Sequence, residues 1–284
     1  MISLNYKRDL VFICQINKYL LNKVFNNYIF YIILVIGGII MKKLFLIFTF
    51  FMTSNLIIAD DHEVKIESDG TVAEFNYFSV TNPVAFVNSL NMFDKSQCAK
   101  KWREESNVKV SLWALRGSPS THFILVVYDN YEQMEKGRAI FTSCPESARM
   151  LASFPKTTET DRTYNWITEN ALSGRDWQTN SVFAKFNFKV DRGSEMDYAL
   201  AWKDLMASSL DLFDGSFGLN AVAFGNRYST HMVYIGADSM TELSEGLAAV
   251  RSTETYKEFV SDTSDIVSGV HSQMVQFVKN FDGT

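Results

Sequence analysis

The sequence has few of the residues that most often carry chemistry. Its 284 residues include three cysteines and four histidines, and no catalytic motif stands out among them. Basic residues are outnumbered by acidic ones, 27 to 32, which gives a formal charge of −5. Because an acidic surface repels phosphate backbones, these totals exclude nucleic-acid binding as the main function.

The sequence also lacks an uninterrupted apolar run of the roughly 20 residues that span a bilayer. Residues 41–59 instead have a charged start, an apolar middle and a small-residue end, which predicts a secretory signal cleaved after Ala59. We interpret residues 1–40 as a segment upstream of the true translation start; the alternative is a membrane anchor, which would tether the protein. No cysteine closely follows the apolar run of the signal, which argues against a lipid anchor. The sequence therefore predicts export, to the periplasm or the medium.

The segment that follows the predicted signal is a polar, acidic arm at residues 60–70. Residues 1–59 hold six basic residues and one acid, so their removal leaves a formal charge of about −10. A free amine, two amide nitrogens and an imidazole at the third position form the square-planar set that Cu²⁺ and Ni²⁺ favour. Asp60, Asp61 and His62 are therefore a candidate copper site, with a plain tail histidine as the alternative.

Two of the three cysteines lie beyond the predicted signal, Cys98 and Cys144. An exported protein with an even number of cysteines usually pairs them. The sequence therefore predicts a Cys98–Cys144 disulfide, and the alternative is two buried thiols.

One stretch of the sequence occurs twice. Residues 120–129 return as residues 229–238, an offset of 109, and each stretch opens on Ser-Thr-His and closes on Asp. A predicted helix follows each one. Self-similarity at so long a spacing indicates a duplicated domain. We therefore divide the chain into a first copy at residues 71–155, a linker with a fourth strand at 156–180, and a second copy at 181–284.

Both copies predict the order strand, helix, two strands, helix, strand. In the first copy, Asn82 and Pro83 begin the first helix, since Asn caps a helix and proline suits its first position. In the second copy we expect a helix at 195–210 and a closing strand at 274–281. The fold class is therefore α+β, with two tandem ferredoxin-like domains.

The second copy carries a likeness to a known family. Residues 190–195 follow a strand that contains Asn187, Ala201 and Trp202 lie in the next helix, and Gly218 opens the next strand. This pattern resembles the antibiotic-biosynthesis-monooxygenase domain of the dimeric α-β barrel superfamily. The resemblance implies that the two copies pack sheet to sheet as a single-chain pseudo-dimeric α-β barrel.

The resemblance implies a broad set of functions, which includes cofactor-free oxygenases, haem-degrading enzymes and isomerases. Haem-degrading members place an Asn on the first strand, facing the cavity, and Asn76 and Asn187 match that position when residues 74–76 are laid on 185–187. The resemblance therefore leaves haem open as a cofactor. Against it, His122 and His231 open the third strand of each copy, and the haem ligand is expected on the second helix.

The candidate site residues each have a structural alternative. His122 and His231 suit proton transfer or metal binding, but they also suit a strand end that bonds its own backbone. Asn76 and Asn187 lie mid-strand, where Asn is disfavoured, so they face either a polar cavity or solvent. Trp113, Tyr128 and Tyr234 are either core residues or a surface for a ligand.

The sequence therefore favours an exported, soluble barrel that binds a small apolar ligand or a protein partner. The alternative is a cofactor-free or haem-linked monooxygenase, or an isomerase. Such an enzyme would bring Asn76, Asn187, His122 and His231 together in one cavity between the two domains.

Overall fold

A computed structural model of the protein describes residues 64–284. The predicted signal at 41–59, the segment at 1–40 and the candidate copper site at Asp60, Asp61 and His62 lie outside the described residues. Within residues 64–284, no helix combines the length and the apolar character needed to cross a membrane.

The first half of the fold contains four strands and four helices. Asn82 begins the first helix as expected, because its side-chain oxygen accepts a hydrogen bond from the Ala85 backbone N–H at 3.1 Å. Pro83 takes the first helical position. In chain order the elements are β1 (Val72–Val80), α1 (Pro83–Asp94), α2 (Gln97–Ser106), β2 (Lys109–Arg116), β3 (His122–Tyr128), α3 (Tyr131–Ser143), α4 (Pro145–Ser153) and β4 (Thr158–Gly174).

The second half repeats this order with three helices. The helix predicted at 195–210 ends at Ser208, and the closing strand begins at Val267, seven residues before the predicted start. The elements are β5 (Val182–Val190), α5 (Glu195–Ser208), β6 (Phe217–Phe224), β7 (His231–Ala237), α6 (Met240–Arg251), α7 (Glu254–Thr263) and β8 (Val267–Asn280).

The eight strands form one closed barrel in the order β1-β3-β2-β8-β5-β7-β6-β4. Each half contributes its strands in the ferredoxin-like order, and the halves join where β2 pairs with β8 and where β4 pairs with β6. The predicted pseudo-dimeric α-β barrel is confirmed. The two sheets join by edge-to-edge hydrogen bonding, which leaves no unpaired strand edge in the barrel wall.

Strand β4 lies in the region where the sequence predicts a linker with a fourth strand, residues 156–180. Residues 158–174 form one strand, which pairs with β1 over residues 158–169 and with β6 over residues 167–174. Its side chains show no clean alternation because the first part is largely exposed and two bulges interrupt its pairing with β6. The strand takes up most of the region and forms part of the barrel wall.

Side chains alternate between the barrel interior and the helices that cover the outside. On β3, Phe123, Leu125 and Val127 belong to the interior cluster, while Ile124 and Val126 belong to the outer cluster under the first-half helices. A second outer cluster lies under the helices of the second half. Burial on both faces explains why the repeated strands read as nearly continuous apolar runs.

The predicted disulfide is confirmed. Cys98 in α2 is bonded to Cys144, which follows α3, with 6.0 Å between their Cα atoms. The bond closes a loop with a sequence separation of 46. In the chain-entropy account such a loop stabilises the fold by about 4 kcal/mol.

Candidate functional site

The barrel encloses a cavity of about 70 Å³. Its walls are mainly aromatic and aliphatic, with Phe75, Trp113 and Phe183 among the lining side chains. Exposed Asp69 and partly buried Trp177 also line it, so we place the mouth of the cavity at these two residues. The cavity therefore offers an apolar interior that opens toward polar groups.

Among the described residues that line this cavity, Lys185 is the one with a basic side chain. It lies in the middle of β5, where the alternation turns its side chain inward, and only 2% of the residue is exposed. Its amine nitrogen lies 2.7 Å from Asn187 Oδ1, 2.9 Å from Tyr77 Oη and 3.3 Å from Gln273 Oε1. Asn187 is on the same strand, and β8 and β1 supply the other two residues.

The Lys185–Tyr77 contact crosses the barrel. In the closed strand order, β1 and β5 are separated by three strands on either side, so they lie opposite each other. The amine also lies 4.8 Å from the ring centre of Trp166 and 5.5 Å from those of Phe75 and Tyr77. Lys185 is thus held by groups from several strands.

Burial lowers the pKa of Lys185 well below its ordinary value of 10.5. Within residues 64–284 no carboxylate forms a hydrogen bond or ion pair with the amine. The aromatic rings favour the ammonium form by cation–π attraction, which is worth about 2 kcal/mol at a desolvated site. That contribution is smaller than the cost of an unpaired buried charge, so we assign the neutral amine.

The contacts of the amine are compatible with this assignment. Tyr77 is 1% exposed, and its hydroxyl oxygen accepts a hydrogen bond from the Lys185 amine at 2.9 Å. Burial raises the pKa of Tyr77 well above its usual range, so the hydroxyl stays neutral and supplies no negative charge that would stabilise an ammonium. The amide oxygens of Asn187 and Gln273 are also neutral acceptors.

A second polar group in the cavity lining comes from β4 and β6. Asn220 donates from Nδ2 to Thr168 Oγ1 at 3.2 Å, and Asn170 donates to Asn220 Oδ1 at 3.4 Å. Asn170 and Asn220 both line the cavity. They offer amide groups that can hydrogen bond to a ligand without carrying charge.

The mouth of the cavity is acidic. Burial raises the pKa of Tyr234 above its usual range, and the carboxylates of Asp69 and Asp176 raise it further. Both aspartates are exposed, and Tyr234 lines the cavity. An anionic ligand would therefore meet repulsion on entry.

Solved structures share this architecture at low sequence identity. A provisionally named monooxygenase from Fusobacterium nucleatum subsp. nucleatum superposes with a TM-score of 0.51 at 12% identity, over 74% of this chain and 94% of that one. A similarly named protein from Lactobacillus acidophilus NCFM gives 0.51 at 11% identity, over 75% and 94%. An anthrone oxidase-like protein gives 0.50 at 15% identity, over 76% and 95%.

This chain has the dimeric α-β barrel fold. At these identities the likeness shows the fold alone. No family model and no curated protein matches the sequence. The likeness therefore assigns no chemistry to this α-β barrel.

The two histidines of the repeated motif lie outside the barrel interior. His122 and His231 begin β3 and β7 on the helix-facing side, and the Nδ1 atom of each ring lies 2.9 Å from the hydroxyl of the preceding threonine. Burial lowers the pKa of both rings. Neither residue lines the interior cavity.

The threonine of the motif has a clear structural role. Thr121 Oγ1 accepts a hydrogen bond from the Val80 backbone N–H at 2.9 Å, and Thr230 Oγ1 accepts one from the Val190 N–H at 2.8 Å. Each contact joins the start of the third strand of a half to the end of its first strand. The repetition of Ser-Thr-His therefore supports the structural alternative.

Asn76 and Asn187 are not equivalent, so the alignment that paired them is wrong. Phe78 pairs with His122 and Phe188 pairs with His231, which aligns the first strands at an offset of 110, one residue less than assumed. A shift of one residue moves a side chain to the other face of the strand. Asn187 is buried inside the barrel beside Lys185, whereas Asn76 lines an outer cavity of about 290 Å³ under the helices.

The three aromatic candidates also lie on different faces of the barrel wall. Trp113 and Tyr234 line the interior cavity, and Tyr128 faces outward, with its ring centre 6.5 Å from that of Trp102 in α2. The sequence placed four side chains in one cavity, those of Asn76, Asn187, His122 and His231. They do not meet, because only Asn187 points into the barrel.

Sequence reasoning missed the residues that do converge, Lys185, Tyr77 and Gln273. A usable signal was present, since Lys185 alternates with Phe183 and Asn187 on one face of a predicted strand. Burial of an ionisable side chain costs free energy. A lysine at an inward position of a buried strand is therefore a candidate functional residue. Gln273 gave no such signal because its strand begins earlier than predicted.

The described residues do not fit a histidine-ligated haem. No histidine lines the interior cavity or the two outer cavities of about 290 and 340 Å³. The interior cavity of about 70 Å³ is about half the size of the engineered 150 Å³ cavity that binds a single benzene ring, so it is far too small for a macrocycle. Cys98, Cys144 and Glu146 lie close together, but the disulfide leaves no thiolate to bind a metal.

Proposed function

We propose that the barrel binds a small, neutral, mainly apolar molecule in its interior and hydrogen bonds one polar atom of that molecule to Lys185. One observation carries this proposal: a single buried amine lies in the wall of a cavity that is otherwise largely aromatic. Apolar pockets with a few placed polar groups are the usual form of small-molecule sites.

Size and charge narrow the ligand class. A volume of about 70 Å³ is about half that of the engineered 150 Å³ cavity that binds benzene, so the enclosed group has only a few heavy atoms. Asp69 and Asp176 at the mouth disfavour anions. A short alcohol, aldehyde or ketone fits both constraints, and this interior site favours a small molecule over the protein partner that the sequence left open.

The tryptophans provide the test. Trp113 and Trp177 line the cavity, whereas Trp102 and Trp202 belong to the outer clusters. On addition of 2-methylpropan-1-ol, we expect the indole N–H signals of the first pair to shift in a two-dimensional NMR spectrum and those of the second pair to stay in place.

A cavity-filling substitution provides the matched control. Ala73 lines the cavity, so Ala73→Leu removes the space and should abolish the shifts. Ala148→Leu adds the same atoms at an exposed helical position and should leave them unchanged. Equal shifts in both variants would refute interior binding.

Monooxygenase activity is the second candidate, and the neutral amine favours it. A buried base in the cavity wall can take a proton from the carbon next to the carbonyl of a short hydroxyketone, and the enediolate that results is electron-rich and reacts with oxygen. Oxygen consumption with hydroxyacetone, whose size matches that of the alcohol used above, tests this. The rate should fall in Lys185→Met and persist in Lys189→Met, because Lys189 is exposed on the same strand. A rate equal to that of buffer alone would remove this candidate.

We also propose that the protein works outside the cytoplasm. The disulfide between Cys98 and Cys144 supports this, because such bonds persist mainly in oxidising compartments. Fractionation of producing cells, with N-terminal sequencing of the product, tests it. A product that starts at Asp60 in the exported fraction is expected, and a full-length cytoplasmic product would refute it.

A further inference from the structure

We propose that Lys185 forms an imine with a small neutral aldehyde or ketone that enters the barrel cavity. This inference rests on the proposed function, because it concerns the same cavity and names the ligand as a carbonyl compound. It adds a covalent step to the non-covalent binding described above.

The first argument is the state of the amine. Only an unprotonated amine has the lone pair that attacks a carbonyl carbon. An exposed lysine with a pKa of about 10.4 is unprotonated in roughly one molecule in 2,500 at pH 7. Lys185 is 2% exposed, and its partners in the described chain are neutral oxygens with no carboxylate among them, so nothing there compensates for the burial of an ammonium and the neutral amine is favoured.

The second argument is position. The cavity lining on β5 includes Phe183 and Lys185 but does not reach Asn187, so the amine lies at the inner limit of the cavity on that strand. The rings of Phe75 and Trp166 lie beside it and exclude water. A dry site favours an imine, because the reaction that forms it releases water.

The chemical step balances without a further reagent. The amine lone pair attacks the carbonyl carbon, and the carbonyl π electrons move to oxygen, which gives a carbinolamine. The two N–H protons of Lys185 finally leave with the carbonyl oxygen as water, and a carbon–nitrogen double bond replaces the carbon–oxygen double bond. No electron donor or acceptor is required.

Tyr77 is placed to move the protons of this step. Its hydroxyl oxygen lies 2.9 Å from the reacting nitrogen. It can give its proton to the departing oxygen and recover one from nitrogen, so its own state is unchanged at the end. Asn187 Oδ1, at 2.7 Å, can accept from the N–H of the carbinolamine and so hold the intermediate in place.

The alternative is a lysine that only joins Tyr77, Asn187 and Gln273. Both accounts predict that its removal disturbs the fold, so loss of stability does not distinguish them. Selective covalent capture does, because a purely structural amine would stay unmodified while exposed lysines react.

The experiment uses the full chain, 2-methylpropanal below one equivalent and cyanoborohydride at pH 7. Cyanoborohydride reduces an imine to a stable secondary amine, so peptide mapping by mass spectrometry locates the added isobutyl group. We expect Lys185 to be modified first, and at least tenfold faster than exposed Lys189. In Tyr77→Phe the rate at Lys185 should fall about 100-fold, the scale of general acid–base catalysis, while the rate at Lys189 stays constant.

The result that overturns the inference is modification spread over exposed lysines with Lys185 untouched. The alcohol titration then separates the two proposals. If 2-methylpropan-1-ol still shifts the signals of Trp113 and Trp177, non-covalent binding stands and only the imine is wrong. If it does not, both proposals are wrong.

Discussion

The neutral state of Lys185 makes the stability of the protein depend on pH in a defined direction. A base whose pKa is lowered in the folded state binds fewer protons there than in the unfolded chain. Between that lowered pKa and the ordinary value of 10.5, unfolding therefore takes up a proton. The fold becomes more stable as pH rises through this window, and it loses that stability as pH falls.

The size of the effect follows from the one proton that Lys185 takes up on unfolding. A full proton of difference changes the free energy of unfolding by about 1.4 kcal/mol per pH unit. Lys185→Met removes the titrating group and keeps a flexible apolar side chain of similar length. The difference in stability between the unaltered protein and this variant should therefore rise with pH by as much as about 1.4 kcal/mol for each unit between the lowered pKa of Lys185 and its ordinary value of 10.5.

The assay is urea unfolding at several pH values with the disulfide intact. The subtraction cancels every group that the two proteins share, including His122 and His231. Lys189→Met, on the exposed end of the same strand, is the control and should give a curve parallel to that of the unaltered protein. Lys185→Gln serves in the same way if the methionine variant does not fold.

Parallel curves for Lys185→Met and the unaltered protein would refute the reasoning. They would mean that the amine keeps its proton inside the barrel. The rings of Phe75, Tyr77 and Trp166 would then compensate for the lost hydration. The same result would count against the proposed imine, because a protonated amine has no lone pair to attack a carbonyl carbon.

Three further predictions concern the threonine contacts, the disulfide and haem binding. Thr121→Val leaves the Val80 N–H without its acceptor and should lower stability by roughly 1–2 kcal/mol in urea unfolding, as should Thr230→Val, whereas Thr241→Val on an exposed helix should change it little. Replacing Cys98 and its disulfide partner by alanine should cost about 4 kcal/mol, and an unchanged unfolding midpoint would contradict this. Added haemin should give no sharp Soret band. A band that is lost on mutation of a histidine would contradict the conclusion that the described residues do not fit a histidine-ligated haem.

The sequence alone could predict features that depend on local pattern or on chemical identity. The repeated Ser-Thr-His, the cap at Asn82 and the pairing of Cys98 with Cys144 are of this kind. Each needs only a few neighbouring residues, or two residues of a rare type.

The features that it could not predict depend on register and on contacts between distant strands. The histidines of the two copies are 109 residues apart, but the first strands align at 110, because the connection between the first and third strands differs by one residue between the halves. That single residue reverses the face of Asn76 relative to the assumed alignment. Gln273 meets Lys185 only because β8 starts at Val267 and pairs with β5.

The corrected alignment also explains how a duplicated fold obtains one site. At an offset of 110, Lys185 occupies the position of Phe75, and Asn187 occupies the position of Tyr77. Because β1 and β5 lie opposite each other, the two versions of the same inward pair meet across the barrel. An identical Phe–Tyr pair in both halves would leave the cavity without an amine, and an identical Lys–Asn pair would bring a second amine into it. The site therefore depends on the difference between the copies, so residues that the two halves share are a poor guide to its chemistry.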